Sequence, residues 1–195
     1  MTLLLPQVTG VGSGPALTSY LAKLEPAFVG YILSFFVIAG WWSTHHRLFS
    51  SIVRYDGPIV RYNSFVLLVI SLTPFLVSLL FAYGSSSLGP GSLSGRLAVA
   101  LFATVQGLGG LALLAIWRHA TRGHRLVRAS LPEGWVRSTE YNQLLKVGVF
   151  FASVGIAFAS PLVAELSWIV MIIGLGHRFR SRPVEPHRAP EARRA

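Results

Sequence analysis

Residues 147–177 read VGVFFASVGIAFASPLVAELSWIVMIIGLGH, with Glu165 as the single acidic or basic residue and Pro161 near the middle. As one helix the run would be about 46 Å long, at 1.5 Å per residue. A bilayer's hydrocarbon core is about 30 Å thick, so one untilted span is too short to use it up. A hairpin turning near Pro161 gives two short spans instead, 147–160 and 162–177. Charge position chooses between the two, because Lys and Arg collect in cytoplasmic loops. Arg47, Arg54 and Arg61 lie between His45 and Arg61. Arg118, Arg122, Arg125, Arg128, Arg137 and Lys146 lie between Arg118 and Lys146, and Arg178, Arg180, Arg182, Arg188, Arg193 and Arg194 lie in the tail. Only Lys23 and Arg96, of 17 Lys and Arg residues, fall elsewhere. With the three basic segments inside, Lys146 and Arg178 share a side, so the run between them crosses twice.

The rest of the chain follows from that choice. Further uncharged runs cover 27–46, 62–83 and 97–117. Between the second and third of these, GSSSLGPGSLSG at 84–95 reads as a loop and falls outside. The expectation is an all-α, polytopic helical membrane protein with five complete spans and a cytoplasmic C-terminus. Residues 26–178 form the membrane domain, and 179–195 form a basic, disordered cytoplasmic tail. The cell membrane is the expected location.

Composition agrees with this. The chain has 195 residues, is 52% hydrophobic and only 12% charged, about half the charge of a soluble domain. Such hydrophobicity excludes intrinsic disorder as the overall state. The absence of cysteine excludes disulfide frameworks and thiolate metal sites. A net charge of +10 sits in loops, where attraction to anionic lipid headgroups accounts for it. Nucleic acid would call for aromatics interleaved with the basic residues, and only Trp135 and Tyr141 are available. Enzyme signatures are missing, with no nucleophile elbow, no phosphate loop and no paired carboxylates among seven acidic residues. No enzyme activity and no cofactor are expected.

The stretch 31–75 is more specific than hydropathy. It reads YILSFFVIAGWWSTHHRLF at 31–49, then a short basic loop with Asp56, then RYNSFVLLVISLTPF at 61–75. An apolar helix ending Trp-x-x-His-His-Arg-Leu-Phe, followed by a helix with an early Asn and a later Pro-Phe, resembles the bacterial members of the transmembrane protein 175 family. The matching residues are Trp42, His45, His46, Arg47, Leu48, Phe49, Asn63, Pro74 and Phe75. That resemblance implies a potassium channel, with six helices per repeat, both ends in the cytoplasm, and assembly as a homotetramer. It implies a leak-type, potassium-permeable pore on the four-fold axis, with protons as a further permeant ion. It also implies a first helix carrying Phe-Ser-x-x-x-Asp, which this chain lacks. Met1–Pro6 fits that helix's tail, so residues 1–25 are expected to be its remnant plus an extracellular loop. Thr2 and Leu3 then fall at the pore wall. Either the natural start lies upstream, or the chain is a truncated paralogue and a non-conducting scaffold.

Several residues carry expected roles. Trp42, His45 and His46 stand at i, i+3 and i+4, spacings that share a helix face. The resemblance implies that they and Asn63 hold the pore helix, a packing and gating patch rather than a catalytic one. The alternative is interfacial Trp anchoring and surface histidines. Adjacent helical residues point about 100° apart, so His45 and His46 do not read as one metal or haem site. Gln106, the most polar residue deep in its span, is expected to act as packing glue. Gly107, Gly109 and Gly110 beside it suit close helix approach. Glu165 is expected in the short turn between the last two helices. With no Thr-x-Gly-Tyr-Gly loop, a conventional potassium filter is excluded.

Overall fold

The computed structural model describes residues 14–84 and 92–180, with side chains described for 28–84 and 92–171. Five α-helices account for nearly all of it. They are α1 (Gly14–Phe49), α2 (Gly57–Tyr83), α3 (Leu93–Thr121), α4 (Glu133–Ala159) and α5 (Pro161–Arg180). Phe28–Phe49 of α1 and the helices α2, α3 and α4 are long and apolar enough to cross a membrane. The described part of α5, Pro161–Met171, is apolar but shorter. The described residues are helical, and the protein is a multi-pass membrane protein.

Helix boundaries follow local chemistry. Asp56 caps α2, its Oδ1 accepting from the Ile59 N–H at 3.3 Å, and Pro58 sits in the first turn, where its missing N–H has no helical use. Ser92 caps α3 by accepting from the Gly95 N–H at 3.1 Å. Ser160 alone separates α4 from α5, with φ −152° and ψ 105°, and Pro161 opens the next helix. The hairpin therefore turns in a single extended residue. Glu165 lies in the second turn of α5 rather than in the connection. Within α2, Pro74 removes an N–H that would have bonded the Ile70 carbonyl.

Two helices are longer than their apolar runs. α1 starts at Gly14, inside the segment read as a loop. α4 starts at Glu133, inside the segment read as basic loop. The reason for the second is visible in the packing. Trp135 and Val136 rest on a buried cluster with Trp117, while Arg137 and Tyr141 stay exposed. That apolar stripe makes an amphipathic extension of the spanning helix despite its charge.

Helix α3 is central. It packs against α2 on one side and α4 on the other, touches α5, and is the most buried of the membrane-length helices. Its glycines explain how. A Cβ on Gly109 would come within 2.6 Å of the Trp41 ring and 2.8 Å of Val69. One on Gly107 would meet the Phe151 ring at 3.1 Å, and one on Gly110 would meet Val147 at 2.9 Å. Small residues thus let α3 approach α1 and α2 by one face and α4 by another. The core has two parts. One gathers Leu48, Ile59, Val66, Ile116 and Trp117 at the basic end. The other gathers Leu76, Val99, Phe102, Ala157 and Trp168 at the opposite end. There the Trp168 indole donates to Ser153 Oγ at 2.8 Å, tying α5 to α4.

Candidate functional site

Besides the Trp168–Ser153 bond at the opposite end, polar contacts between the described helices gather in two places, a junction in mid-bundle and a laced assembly at the basic end. Gln106 forms the junction. It is 1% exposed. Its Oε1 accepts the Trp41 indole N–H at 2.6 Å, and its Nε2 donates to Thr73 Oγ1 at 3.5 Å. Thr73 in turn donates to the Val69 carbonyl at 3.1 Å. One side chain of α3 so ties α1 to α2. A buried amide needs such partners, since an unpaired one is costly in hydrocarbon. Trp41 and Thr73 were not singled out from sequence. A usable signal was present in the Thr within the deep part of α2, the second polar group at that depth.

At the basic end, α1 presents its last turns. His45 Nε2 donates to Asn63 Oδ1 of α2 at 2.8 Å, and the His45 ring stacks on Phe49 at 4.0 Å with 16° between planes. Trp42 stacks on His46 at 5.2 Å and 12°, and Trp42 is 65% exposed. The four residues therefore form two pairs. His45 and Asn63 bridge α1 to α2, whereas Trp42 and His46 stack side by side on the open side of α1. The 100° turn between adjacent residues separates them. Trp41, the neighbour of Trp42, is the tryptophan that faces inward. Above this patch the open side of α1 continues through Phe28, Phe35 and Phe36, all more than half exposed. Thr2 and Leu3 lie outside the described residues.

The two loops beyond the patch are laced together. The Val53 N–H donates to the Leu126 carbonyl at 2.8 Å, and the Arg128 N–H donates to the Ser51 carbonyl at 3.2 Å. Arg128 Nη2 adds a bond to the Ser50 carbonyl at 2.9 Å. Gly123 and His124 take left-handed φ values of 63° and 52°, which turn the chain toward this pairing. His119 at the end of α3 donates to Asp56 Oδ2 at 2.8 Å. That bond is the main reason the Asp56 carboxyl is held below the usual carboxylate range. Asp56 so serves α2 with one oxygen and α3 with the other. Arg118 and Glu140 pair at 2.7 Å, and His124 and Glu133 at 3.1 Å, joining α3 and its following turn to α4.

Among the described residues no three His, Cys, Asp or Glu side chains group as a metal site. The arrangement is one of helix ends locked to one another beside an open aromatic face. Among the described residues it offers no nucleophile and base in contact.

Known proteins resemble this chain. Residues 1–74 match the model of the family described as the endosomal/lysosomal potassium channel TMEM175. The match spans α1, the loop after it and α2 as far as Pro74, and so includes every residue of the patch. A potassium channel of Streptomyces collinus is 28% identical over 185 residues, covering 94% of this chain and 84% of that protein. One of Chamaesiphon minutus is 25% identical over 144 residues, 74% of this chain and 68% of that one. A third, of a Chryseobacterium species, is 35% identical over 54 residues, 28% of each chain. No solved structure matches. The family match across the patch, with relatives that align along most of the chain, makes this protein similar to the TMEM175 family and to bacterial potassium channels.

Proposed function

We propose that this chain is a subunit of a potassium-permeable cation channel of the leak type, conducting protons as well, with its pore on the axis of a homotetramer. The observation that carries this reading is the family match over α1 and the start of α2, together with potassium channels among the relatives. The geometry supports it. Much of α1 is uncovered along an apolar face, which suits an inner helix or a neighbouring subunit. Trp42, His45, His46 and Asn63 stand at the end of that face and act as its packing and gating patch. Thr2 and Leu3 belong to the pore wall in this reading. All five helices cross the membrane. The basic loops and the C-terminus face the cytoplasm of a cell membrane, where anionic headgroups attract them.

Potassium flux in liposomes tests the proposal. Natively expressed protein is reconstituted with a potassium gradient, and a saturating proton conductor separates potassium from proton movement. Flux well above empty liposomes, from a species with four subunits, is the expected result. Folded protein that gives no flux would instead mean a non-conducting scaffold.

A further inference from the structure

The first half of α4 packs beside the end of α1, and a recess of about 20 Å³ opens between them. Thr44 and Arg47 line it from α1, and Thr139, Asn142, Gln143 and Lys146 from α4. No Asp or Glu is among its lining residues. Arg47 and Lys146 both bring positive charge to this recess. Lys146 has one hydrogen bond among the described residues, Nζ donating to Thr44 Oγ1 at 3.2 Å. An ammonium carries three protons to donate.

Gln143 makes the case sharper. It is 3% exposed and faces the recess, and its Nε2 is buried with no hydrogen-bond partner. Buried amide donors are nearly always paired, because the unmade bond costs the whole desolvation of the group. The group left wanting here is thus an N–H donor, and the Lys146 ammonium beside it is positive. An anionic oxygen satisfies both at once. Room of about 20 Å³ takes one or two oxygens, since about 10–15 Å³ holds a water. The remainder of a larger anion would sit at the mouth.

We propose that this recess binds a phosphate group, whose oxygens enter between Lys146, Gln143 Nε2 and Arg47. The phosphate belongs either to the headgroup of an anionic lipid or to a free phosphate ion. The lipid source deepens the proposed attraction of this side to anionic lipid and rests on that reading, whereas the free ion does not.

Thermal unfolding of the purified full chain in non-ionic detergent tests the site. Inorganic phosphate is compared with chloride at equal ionic strength, and micelles containing phosphatidic acid with micelles containing phosphatidylcholine. The expected result is a saturable rise in Tm with phosphate, with phosphatidic acid, or with both. In Lys146→Met and Gln143→Leu the midpoint of that rise should move about tenfold or more to higher concentration. A response to phosphate alone identifies a free-ion site, and a response to phosphatidic acid alone identifies a headgroup site. If Lys146→Met fails to fold, Gln143→Leu carries the comparison, because it leaves both cations in place. Equal responses in parent and Gln143→Leu, or no response beyond chloride and phosphatidylcholine, would overturn the site. Because the readout is Tm and not potassium flux, a failure here leaves the conduction reading standing, and loss of conduction leaves this site standing.

Discussion

The Trp41 indole donates to Gln106 Oε1 across 2.6 Å, joining α1 to the central helix at mid-bundle. This bond sits between the two halves of the apolar core, and the same Gln106 side chain donates from Nε2 to Thr73 Oγ1. Replacing Gln106 by Leu leaves a part-buried donor, Trp41 Nε1, and a buried acceptor, Thr73 Oγ1, each with one fewer partner. The expected loss is about 1–3 kcal/mol, at the lower end because interhelical bonds in membranes average about 0.6 kcal/mol. Trp41→Phe should cost less, and the double variant little more than Gln106→Leu alone. Unfolding in mixed micelles measures all three. Full additivity of the two single effects would show that the bond does not couple the helices.

Gly109 and Gly148 form a matched comparison. A Cβ on Gly109 meets Trp41 and Val69 at 2.6 and 2.8 Å, while one on Gly148 meets nothing within 4 Å. Gly109→Ala therefore pushes α3 off both neighbours and should cost about 1–3 kcal/mol. Gly148→Ala should be neutral or stabilise, by up to about 1 kcal/mol of helix propensity. Equal Tm changes for the two substitutions would mean that α3 does not approach its neighbours at Gly109.

Asp56 makes an acid-limit prediction. Its carboxyl is held below the usual range, chiefly by the His119 bond. A carboxyl depressed in the folded state stabilises above its unfolded pKa, about 3.9 for Asp, and loses that contribution as pH falls through the lower folded value. Asp56→Asn should therefore lower Tm at pH 5 and above. Its deficit against the parent should shrink only below about pH 4. A deficit that stays constant down to pH 3 would show that the charged form of Asp56 does not support the loops.

The sequence makes some of this legible and hides the rest for physical reasons. Gln106 and the glycines beside it stand out, because a polar side chain and three glycines in one apolar run have few uses apart from packing. The partners do not stand out. α1 is apolar on nearly every side, so its sequence lacks the contrast that would tell which of Trp41 and Trp42 turns inward. The early start of α4 is hidden by its charged residues Glu133, Arg137, Glu140 and Lys146, which average out the apolar stripe of Trp135, Val136 and Val147. The Ser160–Pro161 turn is legible because proline opens helices more readily than it continues them. Gln143 and Lys146 stand three residues apart on a helix, a spacing that places them together, but only the fold shows that α1 brings Arg47 to the same recess.

The His45–Asn63 bond supports the last prediction, which belongs to the channel reading. The bond is 2.8 Å long, and the His45 ring is fixed on Phe49. Together they set the angle at which α1 leaves α2, and thereby the angle of the open face above. His45→Ala and Asn63→Leu should each reduce potassium flux several-fold or weaken the tetramer, and together do little more than either alone. Trp42→Ala separates a subunit-level role from a chain-level one. Trp42 is 65% exposed and touches mainly its helix neighbour His46, so its loss should leave the fold of a single chain nearly unchanged. If flux or assembly falls while Tm holds, the open face of α1 has a partner in the working channel. Liposome flux and native mass of the reconstituted protein give both readings. Unchanged tetramer and unchanged flux in His45→Ala and Trp42→Ala would remove the packing patch from the mechanism, and leave these side chains as ordinary interfacial residues of α1.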